Sequence, residues 1–320
     1  MQFLTDSLPQ KPFPHKHLLS LTDYSSEDVL WLLGKALQLK AERKAGVPHP
    51  LLQGKTLGMI FSKPSARTRI SFEVGFHQLG GHALYISDQE IGLGRRESVP
   101  DVARVLSRFV DGIMIRTFAQ ADVEGLAQYG SVPVINGLTD QYHPCQALAD
   151  LMTFYEHKGG FAGRKLVYVG DGNNVAHSLA LACAKVGLDF TIGCPKDYMP
   201  DPAVMAAAER AAAQTGAALR IVHDPKAAVQ GADAIYTDVW TSMGQEAEKQ
   251  QRLQDFAGYQ VDDQLMAAAK GDCVFMHCLP AHRGEEVAAS VIESAASVVF
   301  DEAENRLHAQ KAVMALLMAD

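Results

Sequence analysis

Short runs rich in Val and Ile recur along almost the whole chain, with stretches of helical spacing between them. In the first half KTLGMIF (55–61), HALYIS (82–87), GIMIR (112–116) and VPVIN (132–136) read as strands. Between them lie ISFEVGFHQL (70–79), DVARVLSRFV (101–110) and ADVEGLAQY (121–129), which read as helices. The second half repeats the pattern with KLVYVG, DFTIGC, ALRIVH, DAIYTD and DCVFMHC. Strands joined through helices pair in parallel, because a crossover returns each strand in the same direction. Their faces are then both covered, which is why the runs are apolar throughout rather than alternating. A first helix opens near Ser25, with Asp28 completing a capping box and Val29, Leu33, Ala36 and Leu37 on one face. The fold class this predicts is α/β.

At 320 residues the chain is too long for one ordinary core and fits two domains, each a doubly wound parallel sheet. A long helical stretch, HPCQALADLMTFYEHKGG (143–160), separates the two series. The junction is placed there, giving a first domain over 1–150 and a second over 151–303. The amphipathic C-terminal segment 304–320 is expected to pack back onto the first. A net charge of -8 speaks against nucleic acid as the partner, since backbone phosphates need a basic face, yet a local arginine cluster could still hold a small anion. Five cysteines without CxxC spacing read as thiols of a reducing compartment. The N-terminus shows no targeting pattern and no apolar run nears the roughly 20 residues of a membrane span, so a cytoplasmic protein without a membrane partner is expected.

In open α/β sheets ligands bind beyond the carboxyl ends of strands. Five motifs occupy such positions. FSKPSARTRISFE (61–73) runs from a strand through Pro64 into a helix, where first-turn amides, Ser65, Thr68, Arg67 and Arg69 suit a phosphate; a capped helix with solvated arginines is the bland alternative. In DQYHPCQALAD (140–150), Pro144 sets a helix start, with His143 before it and Gln146 in its first turn; Arg116, ending GIMIR, could reach the same crevice. VYVGDGNNVAHS (167–178) opens like a dinucleotide fingerprint, but Ala176 or His177 stands near the third glycine's place and no acidic residue caps the next strand. A tight turn presenting Asn173 and Asn174 to another ligand fits better. YTDVWTSMGQE (236–246) ends a strand on Asp238, a carboxylate that could bind an ammonium or merely cap a helix. FMHCLPAHRGEE (275–286) places Cys278 beyond a strand, as metal ligand, nucleophile or buried small residue. Zinc is disfavoured there, because adjacent residues on an extended chain point opposite ways and no second cluster completes a tetrahedral set.

Together and in this order, the motifs resemble those of the ornithine carbamoyltransferases, whose phosphate loop S-T-R-T-R is followed by H-P-x-Q, D-x-W-x-S-M-G and H-C-L-P. The counterparts here are Ser65-Ala66-Arg67-Thr68-Arg69, His143-Pro144-Cys145-Gln146, Asp238 to Gly244 and His277-Cys278-Leu279-Pro280, with Glu304-Asn305-Arg306 closing the series. The similarity spans residues 15–320, and S-M-G with H-C-L-P separates the ornithine branch from the aspartate one. The resemblance implies an active site in a cleft between two α/β domains, a homotrimer or multiple of trimers, and neither metal nor organic cofactor. It implies that Ser65, Ala66, Arg67 and Thr68 hold the phosphate of carbamoyl phosphate. Arg116, His143 and Gln146 would orient the carbamoyl group, with Cys278, Leu279 and Arg306 completing that site. Asn174, Asp238, Ser242 and Met243 would bind L-ornithine. Cys278, Arg116, His143 and Asp238 would stand closest to the chemistry, in which the δ-amine attacks the carbonyl carbon and phosphate leaves.

Two positions depart from the family pattern. Ala66 replaces a threonine and loses one hydroxyl while keeping the backbone amide. Gly92 stands where relatives carry Gln or His on a loop lent to a neighbouring subunit, so either Arg95 or Arg96 substitutes or that contact is weaker. If the loop reaches a neighbouring subunit as it does in relatives, a Gln at position 92 is expected to tighten carbamoyl phosphate binding. Rival readings are a sister carbamoyltransferase acting on putrescine or an acylated ornithine, a nicotinamide-dependent oxidoreductase, and a non-catalytic binding homologue.

Overall fold

The structure, a computed structural model, describes residues 11–319. The first ten residues, on which the absence of a targeting pattern partly rests, lie outside the described residues. The chain divides into two compact units. One runs to Ala149 and takes up the chain again from Asn305, and the other is Asp150–Glu304.

The first unit is built on a sheet of β1 (Thr56–Phe61), β2 (His82–Ser87), β3 (Gly112–Arg116) and β4 (Val134–Leu138) in the order β2-β1-β3-β4. Its pairings are all parallel. Five helices precede or join these strands: α1 (Ser26–Lys44), α2 (Ala66–Gln78), α3 (Asp88–Ile91), α4 (Val99–Leu106) and α5 (Gln120–Tyr129). The capping box expected at Ser25 is present, with the Asp28 carboxylate accepting from the Ser25 amide at 2.8 Å. Ile60, Ile113, Ile115 and Val134 are fully buried against Val102, Val123 and Leu126 of α4 and α5. Each such side chain contributes about 1.5–3 kcal/mol by leaving water. Two expected elements are displaced. The helix read over 101–110 ends at Leu106, where Ser107 folds its hydroxyl back onto the Ala103 carbonyl at 2.7 Å. The strand read over 132–136 begins only at Val134, after Pro133, which lacks an amide to donate to a ladder.

The second unit carries β5 (Lys165–Val169), β6 (Asp189–Gly193), β7 (Leu219–Val222), β8 (Ala234–Thr237) and β9 (Val274–His277), ordered β7-β6-β5-β8-β9 and again parallel. Here α7 (Asn174–Val186) and α8 (Pro202–Thr215) are followed by shorter helices α9 (Pro225–Val229), α10 (Lys249–Asp255), α11 (Asp263–Ala267) and α12 (Ala289–Ile292). Val167, Val169, Ile235 and Phe275 pack with Phe256, Val261 and Val291 in its core. The unit boundaries fall inside two helices, α6 (Pro144–Lys158) and α13 (Val299–Met318).

Strand order fixes where ligands can bind. In the first sheet the winding reverses between β1 and β3, and in the second between β5 and β8. Crossovers on either side of such a reversal lie on opposite faces of the sheet, which opens a crevice at the strands' carboxyl ends. The motif residues Ser65 and Arg116 follow the first reversal, and Asn173, Asn174 and Asp238 the second.

Candidate active site

At the first reversal β1 ends at Phe61 and the chain enters α2 at Ala66. Ser65 is the N-cap, its hydroxyl accepting from the Thr68 amide at 3.3 Å. That leaves the Ala66 and Arg67 amides with no acceptor inside the helix. Arg306 of α13 lies in the same unit and is buried. Its guanidinium donates to Gln146 Oε1 at 2.7 Å, to Thr68 Oγ1 at 3.3 Å and to Gln310 Oε1 at 2.9 Å. Gln310 in turn donates to Ser71 at 2.7 Å, so the motif residues Thr68, Gln146 and Arg306 are joined in one buried network. Arg116, at the end of β3, and His143, just before α6, are buried as well. Burial, followed by the charges of Arg306, Arg116 and Arg67, holds the His143 imidazole well below its usual pKa, so it is neutral. A concentration of cationic and amide donors around a neutral imidazole suits a dianion with a carbonyl attached.

Arg69, expected among the phosphate donors, pairs instead with Glu73 at 3.1 Å and lies over the Tyr85 ring. Sequence reasoning missed Lys63, which is buried, forms an ion pair with Asp140 and stands 4.1 Å over the Phe118 ring. Its position two residues before the cap in F-S-K-P-S was the available signal.

Gly92 has a backbone role that the sequence did not reveal. It caps α3 with φ 65° and ψ 47°, and a Cβ there would meet Arg96 Cβ at 2.8 Å. A Gln at position 92 would therefore carry a backbone cost beside any donor it adds, because a side chain there is strained. Arg95 is engaged locally with the Asp88 carboxylate and Arg96 with the Glu90 carbonyl.

At the second reversal, Gly170-Asp171-Gly172 makes the turn after β5. A Cβ on Gly172 would sit 2.2 Å from the Pro200 nitrogen, so this glycine admits the 198–200 backbone. That close packing accounts for the partial dinucleotide fingerprint without a nucleotide. Asn173 caps α7 through its side-chain oxygen and donates its Nδ2 to Asp238 at 2.9 Å. Asn174, the expected ligand, is the first residue of that helix. The Asp238 carboxylate also accepts from the Cys278 thiol at 3.0 Å. Burial, then Asp238, pushes Cys278 well above the usual thiol range, so it is a protonated donor rather than a thiolate. Ser242 and Met243 lie in a loop folded on itself, the Ser242 amide donating to Gln245 at 3.1 Å. Arg252, missed from the sequence, ties this loop to the β5 turn by bonding Asp171 at 2.7 Å and the Trp240 carbonyl at 2.9 Å.

Leu279 follows with φ 57°, a left-handed conformation that costs an ordinary residue about 1–2 kcal/mol. Because β9 ends at His277, the alternation of side chains stops there. Ligand atoms of Asp238, His277 and Cys278 come within 4.8 Å of one another, which corrects the expectation that His277 and Cys278 point apart. Both ring nitrogens of His277 are engaged: Nδ1 accepts from the Leu279 amide at 2.8 Å and Nε2 faces Glu286 at 3.2 Å. A metal there would have to displace one of those bonds.

Residues 16–156 match the family described as aspartate/ornithine carbamoyltransferase, carbamoyl-P binding domain, and residues 162–317 match its Asp/Orn binding domain. The ornithine carbamoyltransferase of Thermococcus kodakarensis is 58% identical over 303 residues, covering 95% of this chain and 96% of that protein. That of Oceanobacillus iheyensis is 55% identical over 311 residues, covering 97% of each. Among solved structures, the ornithine carbamoyltransferase of Pyrococcus furiosus superposes with a TM-score of 0.94 at 56% identity, over 96% of this chain and 98% of that one. The anabolic enzyme of Campylobacter jejuni gives 0.90 at 39%, over 95% and 99%. Motifs, strand order and these likenesses agree, and the chain belongs to the aspartate/ornithine carbamoyltransferase family.

Proposed function

We propose that this chain transfers the carbamoyl group of carbamoyl phosphate to the δ-amine of L-ornithine, giving L-citrulline and phosphate. The observation that carries the reading is the donor-rich network at the first winding reversal, paired with a thiol-bound carboxylate at the second. Ser65, the Ala66 amide, Arg67 and Thr68 hold the phosphate, and Gln146 with Arg306 holds the carbamoyl end. Arg116 and neutral His143 donate to the carbonyl oxygen, where negative charge grows as the amine adds. Asp238 takes the cationic end of ornithine, with Asn174, Ser242 and Met243 around its backbone. Protonated Cys278 and Leu279 orient the amine. The neutral amine forms the C–N bond, the tetrahedral oxyanion collapses, the C–O bond breaks, and the departing phosphate can accept the amine's proton.

The direction is biosynthetic, in line with the "anabolic" in the names of the Pyrococcus furiosus and Campylobacter jejuni relatives. The working form is a homotrimer or a multiple of it. Self-association is supported by exposed Ile70 and Val74 on α2 beside Leu84 and Tyr85 on the edge strand β2, an apolar edge that a lone subunit would leave open. Five free cysteines support a cytoplasmic setting, and among the described residues no helix is long and apolar enough to cross a membrane.

Purified protein with carbamoyl phosphate should form citrulline from ornithine without added metal or nucleotide. Turnover only with putrescine, aspartate or an acylated ornithine would overturn the substrate assignment.

A further inference from the structure

Behind the Cys278 turn lies a buried carboxyl pair that the proposed chemistry does not use. Asp150, on α6, and Glu302, on α13, are both buried, and their side chains hydrogen-bond each other. The two oxygens of Glu302 have further duties: Oε1 accepts from the Tyr236 hydroxyl of β8 at 3.2 Å, and Oε2 accepts from the His277 backbone amide at 2.9 Å. The second bond reaches the turn. His277 is held at its amide by Glu302, at Nε2 by Glu286 and at Nδ1 by the Leu279 amide. Cys278 sits between these fixed points and aims its thiol at Asp238.

We propose that Glu302, sharing one proton with Asp150, is a positioning residue that fixes the His277–Leu279 turn and so sets the thiol of Cys278 on Asp238. Two touching carboxyls out of water cannot both be ionised, so one keeps its proton and donates it to the other. Burial first, then Asp150, raises Glu302 well above the usual carboxylate range, which agrees with Glu302 as the protonated member. The groups facing it are Asp150 on α6, Tyr236 on β8 and the His277 amide, with Cys278 and Asp238 beyond them. A protonated Glu302 is matched by glutamine. The amide nitrogen would donate to Asp150 while the amide oxygen accepts from His277, and the Tyr236 hydroxyl can rotate to accept. Leucine keeps the volume and removes every bond.

The catalytic half of this inference rests on the proposed function, so two readouts are needed. In the citrulline assay, Glu302→Leu should lower kcat at least about tenfold with KM for carbamoyl phosphate nearly unchanged, and Glu302→Gln should restore kcat to within about threefold. The second readout is melting temperature at pH 5, 6.5 and 8. Folded wild type keeps a proton that the unfolded chain releases near its ordinary pKa of about 4.3. It therefore loses stability as pH rises from there toward the raised folded value, whereas Glu302→Gln has no proton to lose. The melting temperature of the Gln variant relative to wild type should climb from pH 5 to pH 8. A flat difference would overturn the shared proton, even if the Leu variant fails to fold. A folded Leu variant with wild-type kcat would overturn the positioning role. Wild type that makes no citrulline would instead remove the proposed function and leave the melting comparison standing.

Discussion

His143 and Cys278 are moved out of their ordinary titration ranges in opposite directions, His143 downward and Cys278 upward, both mainly by burial. Neither should change charge between pH 7 and pH 9. The δ-amine of ornithine, with a lysine-like pKa of about 10.4, is then the group whose deprotonation limits the rate. Apparent kcat/KM for ornithine should rise across that window with a slope approaching one decade per unit. An ornithine analogue with a less basic attacking amine should reach its plateau at lower pH. A limb that stays put, or a bend between pH 7 and pH 9 with both substrates, would assign the controlling proton to the protein. The residues in contact here were only half legible. Asp238 and Cys278 stood out in the sequence because each directly follows a strand within a recognisable motif. Asn173 and Asn174 were both presented by the turn, but their different places were not legible, since a sequence does not say which of two adjacent amides caps a helix and which begins it.

The short helix α3 shows how an element can decide what a residue may be. Gly92 ends it in a left-handed conformation, and the Arg96 backbone and Cβ close the turn around it. Gly92→Gln should therefore lower the melting temperature by a few degrees, in line with a cost of about 1–2 kcal/mol. Gly92→Asn should lower it less, because asparagine tolerates this conformation better. Equal melting temperatures for all three proteins would show that the turn is not as drawn. The wider pattern is that strands and long helices were legible while turns were not. Continuous apolar, β-branched runs mark β1 to β9 well. Phase at an element's end depends on a single local bond, such as the Ser107 hydroxyl on Ala103. The Arg252–Asp171 pair was invisible for a different reason: its partners are far apart in sequence and Arg252 stands in no motif.

Two separately wound sheets divide the molecule, and each places its motif residues beside its own reversal of strand order. Hydrogen exchange with saturating carbamoyl phosphate and no ornithine should slow amides at 62–68 and 143–147 before those at 238–244. Protection appearing first at 238–244 would reverse the proposed division of labour. That alternation implies two parallel sheets was readable at once, because crossover chemistry leaves few other arrangements. Glu302 was not readable, because its role arises only when β8, β9, α6 and α13 are brought together.

The same burial that shapes these sheets governs how the protein meets oxidants. Cys145 and Cys273 are pushed up to about 12, Cys194 to about 11, and Cys183 and Cys278 well above the usual thiol range, each chiefly by loss of solvent. Peroxide and alkylating reagents attack the thiolate, and at neutral pH essentially none is present. All five cysteines, one of them in the proposed active site, are unbridged, and slow modification by peroxide and alkylating reagents is the expected outcome for the folded protein. In the proposed active site the thiol of Cys278 is aimed by its hydrogen bond to Asp238, while burial first and the Asp238 charge second hold it in the protonated form that peroxide attacks least.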